Sequence, residues 1–590
     1  EKYYLPYSGT PSRFIEGLGS VSSSVKSQYG KETTVFNDLR AEWKKQMGAH
    51  FLDAMAGMRF SSYTYSNTYV KGYNNTNDKL PNLSYNLSFL DYGGTNDTWV
   101  NLAYYLNASY NYRNRYFVNG TVSMESSSRF GKEADSGLKL FGVRWGLFPS
   151  LQAGWLISSE DWFNADWVNS LKLTAGYEMT GNDDIDYYAT RTYFQNVKFL
   201  NNSTGLQLAN IANPKIQRET NHRFNVGLQA NLLDNRLSLG AEVYLSKTSN
   251  LLTRKEVSYL TGLANMWTNE GELQNNGVEV SVSGILVNSK DWKWQAGFTM
   301  GHYANKITKL PSTDKINLYN IDESGMTSTI YKTINGFTTS VYGKNNVLTA
   351  KNYAAGVFYG YKTKGVFKDN AEASTAGKYG YLKYPTGVVG DPSRDFKAGD
   401  VHFVDVNGDG WISEADMVKI GDPNPDIYGN IFTSLSWKRF TLDINFKYSL
   451  GNDIYDYQRS QLEQGNTVWN QSKALVNRWR YSGQETSIPR LMSTTNTEEW
   501  VNNERFSDRW IDNGSYLKLK KVRLTYQVPL SLSWLQGLTV FGECNNIFTL
   551  TKYKGEDPEV SCGNSVLYQG VDAGYLPQSF SCNFGVTFNL

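Results

Sequence analysis

Oxygen-bearing side chains between Asp405 and Asp416 have the spacing of a calcium-binding loop, in which alternate residues supply oxygen ligands and a final carboxylate closes the turn. The last ligand is Asp where Glu is usual, which shortens its reach and predicts a modest affinity. A metal-free turn rich in Asp and Asn fits the same residues equally well. If a cation binds, we expect it to stiffen the loop and to have no catalytic role. The candidate ligands are Asp405, Asn407, Asp409, Trp411 through its main-chain carbonyl, Ser413 and Asp416, with Gly410 at the sharp turn.

Other kinds of chemistry have little support in the sequence. Adjacent acidic pairs such as Glu160–Asp161 are typical of solvated turns rather than of glycosidase carboxylates. We find no nucleophile with a partner base, and therefore predict no catalytic residue, no cofactor-binding residue and no enzyme activity. A formal net charge of +2 without a lysine- or arginine-rich block argues against nucleic acid as a partner. The four histidines are too dispersed for a metal or catalytic site: His50, His222, His302 and His402.

Three cysteines, Cys544, Cys562 and Cys582, are too few for a disulfide framework and lack the spacing of a metal site. We expect free, buried thiols. A pair between Cys562 and Cys582 is the alternative in an oxidising compartment.

The strands that must carry these residues alternate strictly between apolar and polar side chains. The same period of two recurs in hairpins with short turns over residues 102–122, 224–245, 278–300 and 431–448. A strand of this kind has one apolar and one polar face. At the end of the chain the apolar positions are Phe580, Cys582, Phe584, Val586, Phe588 and Leu590.

Composition indicates a membrane barrel rather than a soluble sandwich. The mean hydropathy of -0.49 is that of a soluble protein, yet 14% of the residues are aromatic. A transmembrane barrel combines these properties, because lumen-facing residues are polar and aromatic residues collect at the interfaces. The fold class that we predict is all-β: a transmembrane antiparallel up-and-down β-barrel in the bacterial outer membrane.

Long polar segments separate the hairpins, at 62–97, 182–218, 251–275, 306–426 and 451–513. If the C-terminus is periplasmic, every short turn lies inside and every long segment forms an extracellular loop, as in bacterial barrels. Counting from residue 33 gives about 15 strands, whereas bacterial single-chain barrels have an even number. We therefore expect at least one further strand upstream, so that residues 1–590 are the C-terminal part of a longer polypeptide or one piece of a cleaved one.

Several segments, taken together, resemble the SusC/RagA family of TonB-dependent outer-membrane importers of Bacteroidetes. The matches follow the family order from about residue 148 to the end. They are Phe148–Phe163 (FPSLQAGWLISSEDWF), Leu171–Asn182 (LKLTAGYEMTGN), Asn213–Pro214, Glu219–Asn221, Asp405–Trp411 (DVNGDGW), Ile420–Asp426 (IGDPNPD), Asp508–Lys520 (DRWIDNGSYLKLK), Asn545–Tyr553 (NNIFTLTKY) and Asp557–Glu559 (DPE).

The resemblance implies the C-terminal part of a barrel of about 22 strands, of the kind whose lumen is plugged. It also implies a plug domain absent from residues 1–590, TonB acting through that plug, and a SusD-like lid lipoprotein over the extracellular mouth. Residues 306–426 would be a long extracellular insertion that carries the calcium-loop motif. Lipid and lipopolysaccharide would surround the outer face, and the solute would be a large nutrient, a glycan or an oligopeptide.

Two groups of residues are candidates for contact with the solute, although packing is the favoured interpretation for each loop aromatic. Glu242, Asp443 and Lys447 have the lumen-facing parity. Two alternatives to an importer stay open: a passive porin or surface-adhesion barrel, and a secreted calcium-binding β-sandwich that binds carbohydrate. The loop aromatics are Trp267, Tyr319, Tyr331, Tyr342, Tyr353, Tyr359, Tyr361, Trp469 and Trp479.

Overall fold

The computed structural model describes the chain except for residues 1, 6–12, 16–18, 78, 81, 136, 200–202, 264, 322–326, 343, 376–395, 466–469, 492–502, 531–533, 564 and 590. The chain divides into two compact units. Unit 1 comprises Glu1–Ala153, Gly176–His222 and Thr248–Glu270. Unit 2 comprises Gly154–Ala175, Arg223–Lys247 and Gly271–Leu590.

Antiparallel β-strands dominate the described residues. The strands are β1 (Lys2–Leu5), β2 (Arg13–Ile15), β3 (Gly19–Val21), β4 (Ser24–Met47), β5 (His50–Asn75), β6 (Asn86–Tyr112), β7 (Tyr116–Ser127), β8 (Leu138–Leu140), β9 (Val143–Leu156), β10 (Val168–Asn182), β11 (Tyr193–Phe199), β12 (Ser203–Asn210), β13 (Glu219–Leu232), β14 (Leu237–Glu256), β15 (Asn265–Asn288), β16 (Trp292–Lys309), β17 (Lys315–Ile321), β18 (Thr327–Val341), β19 (Lys344–Ala350), β20 (Val357–Gly360), β21 (Thr363–Val366), β22 (Val401–Phe403), β23 (Val418–Gly421), β24 (Ile427–Trp437), β25 (Phe440–Leu450), β26 (Asp453–Asp456), β27 (Ile511–Asn513), β28 (Tyr516–Val528), β29 (Gly537–Thr551), β30 (Val571–Asp572) and β31 (Ser581–Asn589).

Helices are few and short. Within the part of the chain that the structure describes, none is long and apolar enough to cross a membrane. The α-helices are α1 (Asn370–Thr375) and α2 (Tyr457–Leu462), and single turns of 3-10 helix lie at Leu83–Tyr85, Ile157–Ser159, Tyr259–Thr261, Glu414–Asp416, Lys473–Asn477, Asp508–Trp510 and Val566–Tyr568.

The number of long strands agrees with the sequence prediction. Among the described residues, and leaving aside the segment 310–426, fifteen strands have nine or more residues. They are β4, β5, β6, β7, β9, β10, β13, β14, β15, β16, β24, β25, β28, β29 and β31.

In unit 1, β4 to β7 form an antiparallel meander whose hairpins are much longer than predicted. Gly48, at φ +61°, closes the turn between β4 and β5, a conformation that glycine adopts without steric cost. The pairing of β5 with β6 then continues as far as Asn75 opposite Asn86. The prediction of a polar loop over 62–97 is therefore wrong for most of that segment. Its Tyr and Thr residues favour strands, and the strands greatly exceed the roughly 9–11 residues that cross a bilayer.

In unit 2, β15, β16, β24, β25, β28, β29 and β31 pair in that order to form what we call the wall. Its register places polar side chains in one row across the strands and apolar side chains in the next row. One row, on what we call the polar face, contains Gln295, Ser434, Asp443, Arg523, Glu543 and Asn583 in sequence across the strands. The next row, on the apolar face, contains Trp294, Leu435, Leu442, Leu524, Gly542 and Phe584.

The apolar face of the wall is open to its surroundings. Phe584 is 85% exposed and Leu524 is 50% exposed. Apolar rows of this kind on consecutive strands are what a lipid-facing barrel surface requires. The alternation that the sequence predicts for these hairpins is confirmed.

The segment between β16 and β24, residues 310–426, which we call the insertion, has a core of its own. Because β16 continues to Lys309, it begins slightly later than the predicted 306. A small sheet of β17, β18, β19, β20 and β23 supports it. The described parts of segments 451–515 and 552–579 pack against it, since Phe358, Tyr455, Trp510 and Val571 belong to one buried cluster. The described parts of these regions are therefore packed structure rather than loose loops.

The cysteine prediction is wrong. Cys544 on β29 lies directly opposite Cys582 on β31, with a Cα–Cα separation of 4.2 Å, and the two form a disulfide. Cys562 is the free cysteine. Cross-strand neighbours are within disulfide reach, but which cysteines are neighbours depends on the register of two strands that are far apart in the sequence.

Candidate functional site

The residues predicted to bind calcium all lie in one turn of the insertion, between β22 and β23. Asp405 accepts hydrogen bonds from the main-chain N–H groups of Gly408 at 2.7 Å and Gly410 at 2.9 Å. Asp409 accepts from Trp411 N–H and, outside the turn, from Ile321 N–H on β17, both at 2.9 Å. The turn is thus closed by its own carboxylates and attached to the small sheet.

Asp416, the last residue of the motif, is fully buried. Its carboxylate accepts hydrogen bonds from the main-chain N–H groups of Val406 and Ser413, each at 2.7 Å. Ser413 accepts in return from Ala415 N–H at 3.1 Å, which completes a capping box around the single helical turn Glu414–Asp416. Burial raises the pKa of Asp416 to about 6, although these main-chain hydrogen bonds act in the opposite direction.

Asn407 donates its side-chain amide to Asp409 at 2.8 Å and to Asn320 at 3.1 Å, so it too is held in the turn. Among the residues that the structure describes, no group of three or more His, Cys, Asp and Glu side chains could hold a metal ion. The predicted calcium ligands also include amide, hydroxyl and main-chain oxygens, which belong to none of those side chains. Calcium binding at this turn therefore stays a prediction.

A second concentration of charge lies in unit 2, where segment 552–580 meets β25 and β28. We call it the lysine–carboxylate cluster, and it consists of Lys447, Lys518, Lys520, Asp557 and Glu559. Lys518 is almost completely buried and its Nζ lies 3.0 Å from Asp557 and 2.7 Å from Glu559. Glu559 also contacts Lys447 at 2.6 Å and Lys520 at 3.3 Å.

The cluster fixes the Asp557–Glu559 segment to the wall. Burial on its own would raise the pKa of Glu559, but hydrogen bonds from Lys447 and Lys518 outweigh burial and lower it to about 2. Buried charges of both signs are stable only when they are paired in this way. Glu559 is therefore ionised at any physiological pH.

Of the three residues predicted to face the lumen, Asp443 and Lys447 lie on the polar face of the wall and Glu242 lies on β14. Each of the three has a partner. Glu242 pairs with Arg223 at 3.0 Å. Asp443 accepts a hydrogen bond from Ser434 at 2.6 Å. Lys447 belongs to the lysine–carboxylate cluster. The sequence interpretation did not identify the partners, because their pairing depends on register, although the Asp557–Glu559 segment was already among the family motifs.

Two adjoining cavities lie over this face within unit 2. Their volumes are about 460 Å³ and 320 Å³, and they share Tyr428, Gly429 and Asn430. The sequence did not predict these cavities, because Tyr428 lies on β24 whereas the aromatic residues predicted to stack on a solute lie in loops.

Most of the loop aromatics named in the sequence have packing roles. Tyr359 and Tyr361 are buried in the insertion. Trp267 donates its indole N–H to Asp186 at 3.0 Å, and Trp479 donates to the Lys368 carbonyl at 3.0 Å. The rest have mixed exposure: Tyr353 packs on the insertion core, Tyr342 stacks on Tyr457 at 4.3 Å, Tyr319 and Tyr331 are about two-fifths exposed, and Trp469 lies outside the described residues.

Known proteins resemble this chain along nearly its whole length. TonB-dependent receptor P3 of Formosa agariphila is 26% identical over 594 residues, which cover 98% of this chain and 54% of that protein. TonB-dependent receptor SusC of Bacteroides thetaiotaomicron is 26% identical over 500 residues, which cover 82% of this chain and 43% of that protein. The chain thus spans about half the length of these relatives.

A solved structure of the RagAB peptide transporter has the same fold. The TM-score is 0.72 at 22% identity, and the match covers 96% of this chain and 56% of the other. The model of the family described as TonB dependent receptor-like, beta-barrel, matches residues 2–418. With its two-faced strands and this match over most of its length, the chain belongs to the β-barrel family of TonB-dependent receptors of the bacterial outer membrane, and within that family it is of the SusC/RagA type.

Proposed function

We propose that this protein actively imports a large nutrient, a glycan or an oligopeptide, across the outer membrane. The observation that carries the proposal is the register of the wall, which aligns charged and amide side chains in continuous rows on one face and apolar side chains on the other. A polar inner surface gives a hydrated solute a path, and an apolar outer surface suits lipid. The family membership supports uptake as the purpose of that path.

The same proposal includes two protein partners, TonB and a SusD-like lipoprotein, and the lipids of the membrane. TonB would supply energy through a plug domain, and a SusD-like lipoprotein would cover the extracellular mouth, with residues 310–426 among the extracellular segments. The similarity to SusC and to the RagAB peptide transporter supports these partners. Lipid and lipopolysaccharide would contact the apolar face.

We further propose that the turn from Asp405 to Asp416 binds Ca²⁺ and so stiffens the insertion. Support comes from the convergence of Asp405, Asn407 and Asp409 on one turn, which is already attached to β17 by Asp409. Oxygen ligands from a tight turn are what Ca²⁺ requires.

The test of import is uptake in the source bacterium. Cells are grown on single glycans or on peptides, with the gene intact or deleted, and with TonB present or depleted. We expect one nutrient whose uptake is lost equally on deletion of the gene and on depletion of TonB. Uptake that persists without TonB would favour the passive porin instead, since diffusion through an open barrel needs no energy.

The lid lipoprotein is tested separately by purification. The tagged protein, extracted in detergent from its own membrane, should retain a lipoprotein in stoichiometric amount. If it retains none under conditions that keep the barrel folded, the lid is not part of the assembly.

The alternative of a secreted β-sandwich is not supported, because the apolar rows of the wall are exposed and do not pack into a sandwich core.

A further inference from the structure

The disulfide between Cys544 and Cys582 lies on the apolar face of the wall. Val522, Cys544 and Cys582 stand opposite one another in a row across β28, β29 and β31. Phe584, two residues further along β31, shares this face and is mostly exposed. Side chains with this parity face lipid in outer-membrane barrels. The two sulfur atoms therefore lie on the lipid side of the wall.

A cysteine in contact with lipid is a poor substrate for oxidation. The thiolate, not the thiol, is the nucleophile in disulfide exchange, and an isolated charge in hydrocarbon is costly. The oxidant must also reach the sulfur atom. Neither condition is met on the lipid side of a finished barrel, whereas both are met while the cysteines are still in water.

The position of Cys582 along its strand adds a second barrier. Cys582 is the second of the nine residues of β31, which ends at Asn589. The orientation predicted from the loop lengths places Asn589 towards the periplasm. The strand from 582 to 589 then extends over roughly 23 Å. An oxidase in the periplasm cannot reach across that length of strand through lipid.

The register of β29 and β31 is specified by side chains of these two strands. Phe541 lies opposite Gly585, and Gly542 lies opposite Phe584. A Cβ at Gly585 would collide with the Phe541 ring, and a Cβ at Gly542 would lie 3.2 Å from the Phe584 ring. A shift of one residue would remove both aromatic–glycine pairs and separate the cysteines. The two strands therefore align the cysteines without help from the rest of the wall.

We propose that a periplasmic dithiol oxidase, acting through its own disulfide, joins Cys544 to Cys582 before the wall enters the membrane. One cysteine thiolate attacks the oxidase disulfide, forms a mixed disulfide and releases the first oxidase thiolate. The other cysteine thiolate then attacks the bonded cysteine sulfur and releases the second oxidase thiolate. Two electrons pass to the oxidase, and its two thiolates take up the two protons that the cysteines lost.

The consequence is that β29 and β31 enter the membrane already paired. An isolated two-stranded pair is marginally stable in water, and the two cysteines are 38 residues apart in the sequence. Closing a loop of that length costs chain entropy, and a disulfide removes this cost from the later steps. Insertion should therefore be faster with the bond than without it. The inference goes beyond the import proposal and does not depend on it.

The first experiment follows the order of oxidation and insertion in the source bacterium. The full-length protein is pulse-labelled, free thiols are blocked with N-ethylmaleimide at successive times, and peptides that contain Cys544 and Cys582 are identified by mass spectrometry. Resistance to extraction by urea marks inserted protein. We expect the disulfide to be complete in chains that urea still extracts. Inserted chains in which both thiols are free would overturn the inference.

The second experiment compares variants for the rate at which urea-resistant protein appears. Cys544→Ser combined with Cys582→Ser should slow insertion about threefold to tenfold, because the strands must then pair without the bond. Cys562→Ser, at the free cysteine, is the matched control and should insert at the unmodified rate. Deletion of the dithiol oxidase should slow the unmodified chain equally and leave the double variant unaffected.

Two results of the second experiment would also overturn the inference. One is insertion of the double variant at the unmodified rate. The other is equal slowing of the unmodified chain and the double variant on loss of the oxidase, since that effect would not act through these cysteines. If the double variant does not insert at all, the order of oxidation and insertion in the unmodified chain still decides.

Discussion

The wall and the insertion, both in unit 2, place apolar side chains in opposite positions. On the wall, Phe584 is 85% exposed, while Lys518 on the polar face is only 2% exposed. In the insertion, Leu348 and Phe358 are fully buried, while the polar and charged side chains of β18 lie outside. The insertion therefore packs around buried apolar side chains, whereas the wall requires hydrocarbon on its apolar face.

The difference shows that one chain is stabilised in two solvents. Burial from water stabilises the insertion, so its largest side chains sit at its centre. The apolar face of the wall obtains that stabilisation from lipid. Its polar face carries ion pairs and amide side chains. Substitutions that exchange these environments should reveal the difference most directly, because the same kind of change has opposite effects in the two regions.

The largest effect is expected in the insertion core, from Phe358→Ala. Phe358 is fully buried against Tyr455 and Val571, and truncation of a buried Phe costs about 3–5 kcal/mol. Hydrogen exchange of the full chain in detergent should show the insertion opening more readily by that amount, while wall amides keep their protection. Ile330→Ala, at a position that is 55% exposed on β18, is the matched control and should have little effect. Equal loss of protection in the wall would contradict independent stabilisation of the two regions.

On the wall, the neighbouring residues Asn583 and Phe584 provide a matched pair. They lie on opposite faces of β31, and Asn583 stands beside Glu543. Phe584→Arg places a charge in the lipid, at a cost of about 2–4 kcal/mol. Asn583→Arg adds the same charge on the polar face and should be tolerated. Urea unfolding in lipid vesicles, followed by tryptophan fluorescence, measures both. Equal destabilisation by the two variants would mean that the wall has no lipid-facing side.

The wall was predictable from the sequence and the insertion was not, for a physical reason. A barrel strand can be recognised from its local sequence, because successive residues face lipid and lumen in turn. Residues 431–448 show that alternation throughout. The core of the insertion is assembled from non-local pieces such as Phe358, Tyr455 and Val571. No local period records such contacts, so these regions could only be read as long polar segments.

The same reasoning applies to the candidate sites. The residues of the calcium-like motif are consecutive, and the structure keeps them in one turn. The disulfide between Cys544 and Cys582, the contact of Lys518 with Glu559 and the cover of Gly301 by Tyr428 all depend on register between strands. Spacing within a sequence cannot provide that register when the strands are separated by long segments.

A smaller effect is expected where the wall meets the segment fixed to it, from Glu559→Gln. The neutral side chain loses its ion pairs with Lys447 and Lys520, while Lys518 keeps Asp557. Loss of hydrogen bonds between charged groups costs about 1–3 kcal/mol. Hydrogen exchange over residues 555–572 should accelerate accordingly. Glu556→Gln, an exposed neighbour, is the control and should leave the exchange unchanged.

The pH dependence of this segment has a defined sign. The pKa of Glu559 is lowered to about 2 in the fold, against about 4.3 in an unfolded chain. Its stabilising contribution is therefore complete above about pH 4.3 and is lost as the pH falls towards 2. Glu559→Gln should show no such loss in that window. If the variant and the unmodified chain respond alike, other groups hold the segment.

The smallest effect is expected within the insertion, at the turn from Asp405 to Asp416. We expect calorimetry to show Ca²⁺ binding to the full chain, weakened about tenfold by Asp405→Asn, because one ligand charge is lost. Glu414→Gln, exposed in the same turn but outside the ligand pattern, should bind as before. Absence of binding at millimolar Ca²⁺, or binding that is indifferent to Asp405→Asn, would leave the turn as a metal-free structure.

Protons should compete with calcium at this turn. Burial raises the pKa of Asp416 to about 6, so the carboxyl takes up a proton as the pH falls below that value and its contribution as a ligand is lost. Calcium affinity should therefore fall below about pH 6, whereas a carboxylate with an ordinary pKa would keep the affinity unchanged down to about pH 4.

Without metal, the contribution of Asp416 to the stability of the fold changes with pH in the opposite direction. A raised carboxyl pKa stabilises the fold most below about pH 4, and that stabilisation is lost as the pH rises through 6. Calcium should thus raise the thermal stability of the insertion at neutral pH and leave it unchanged in acid.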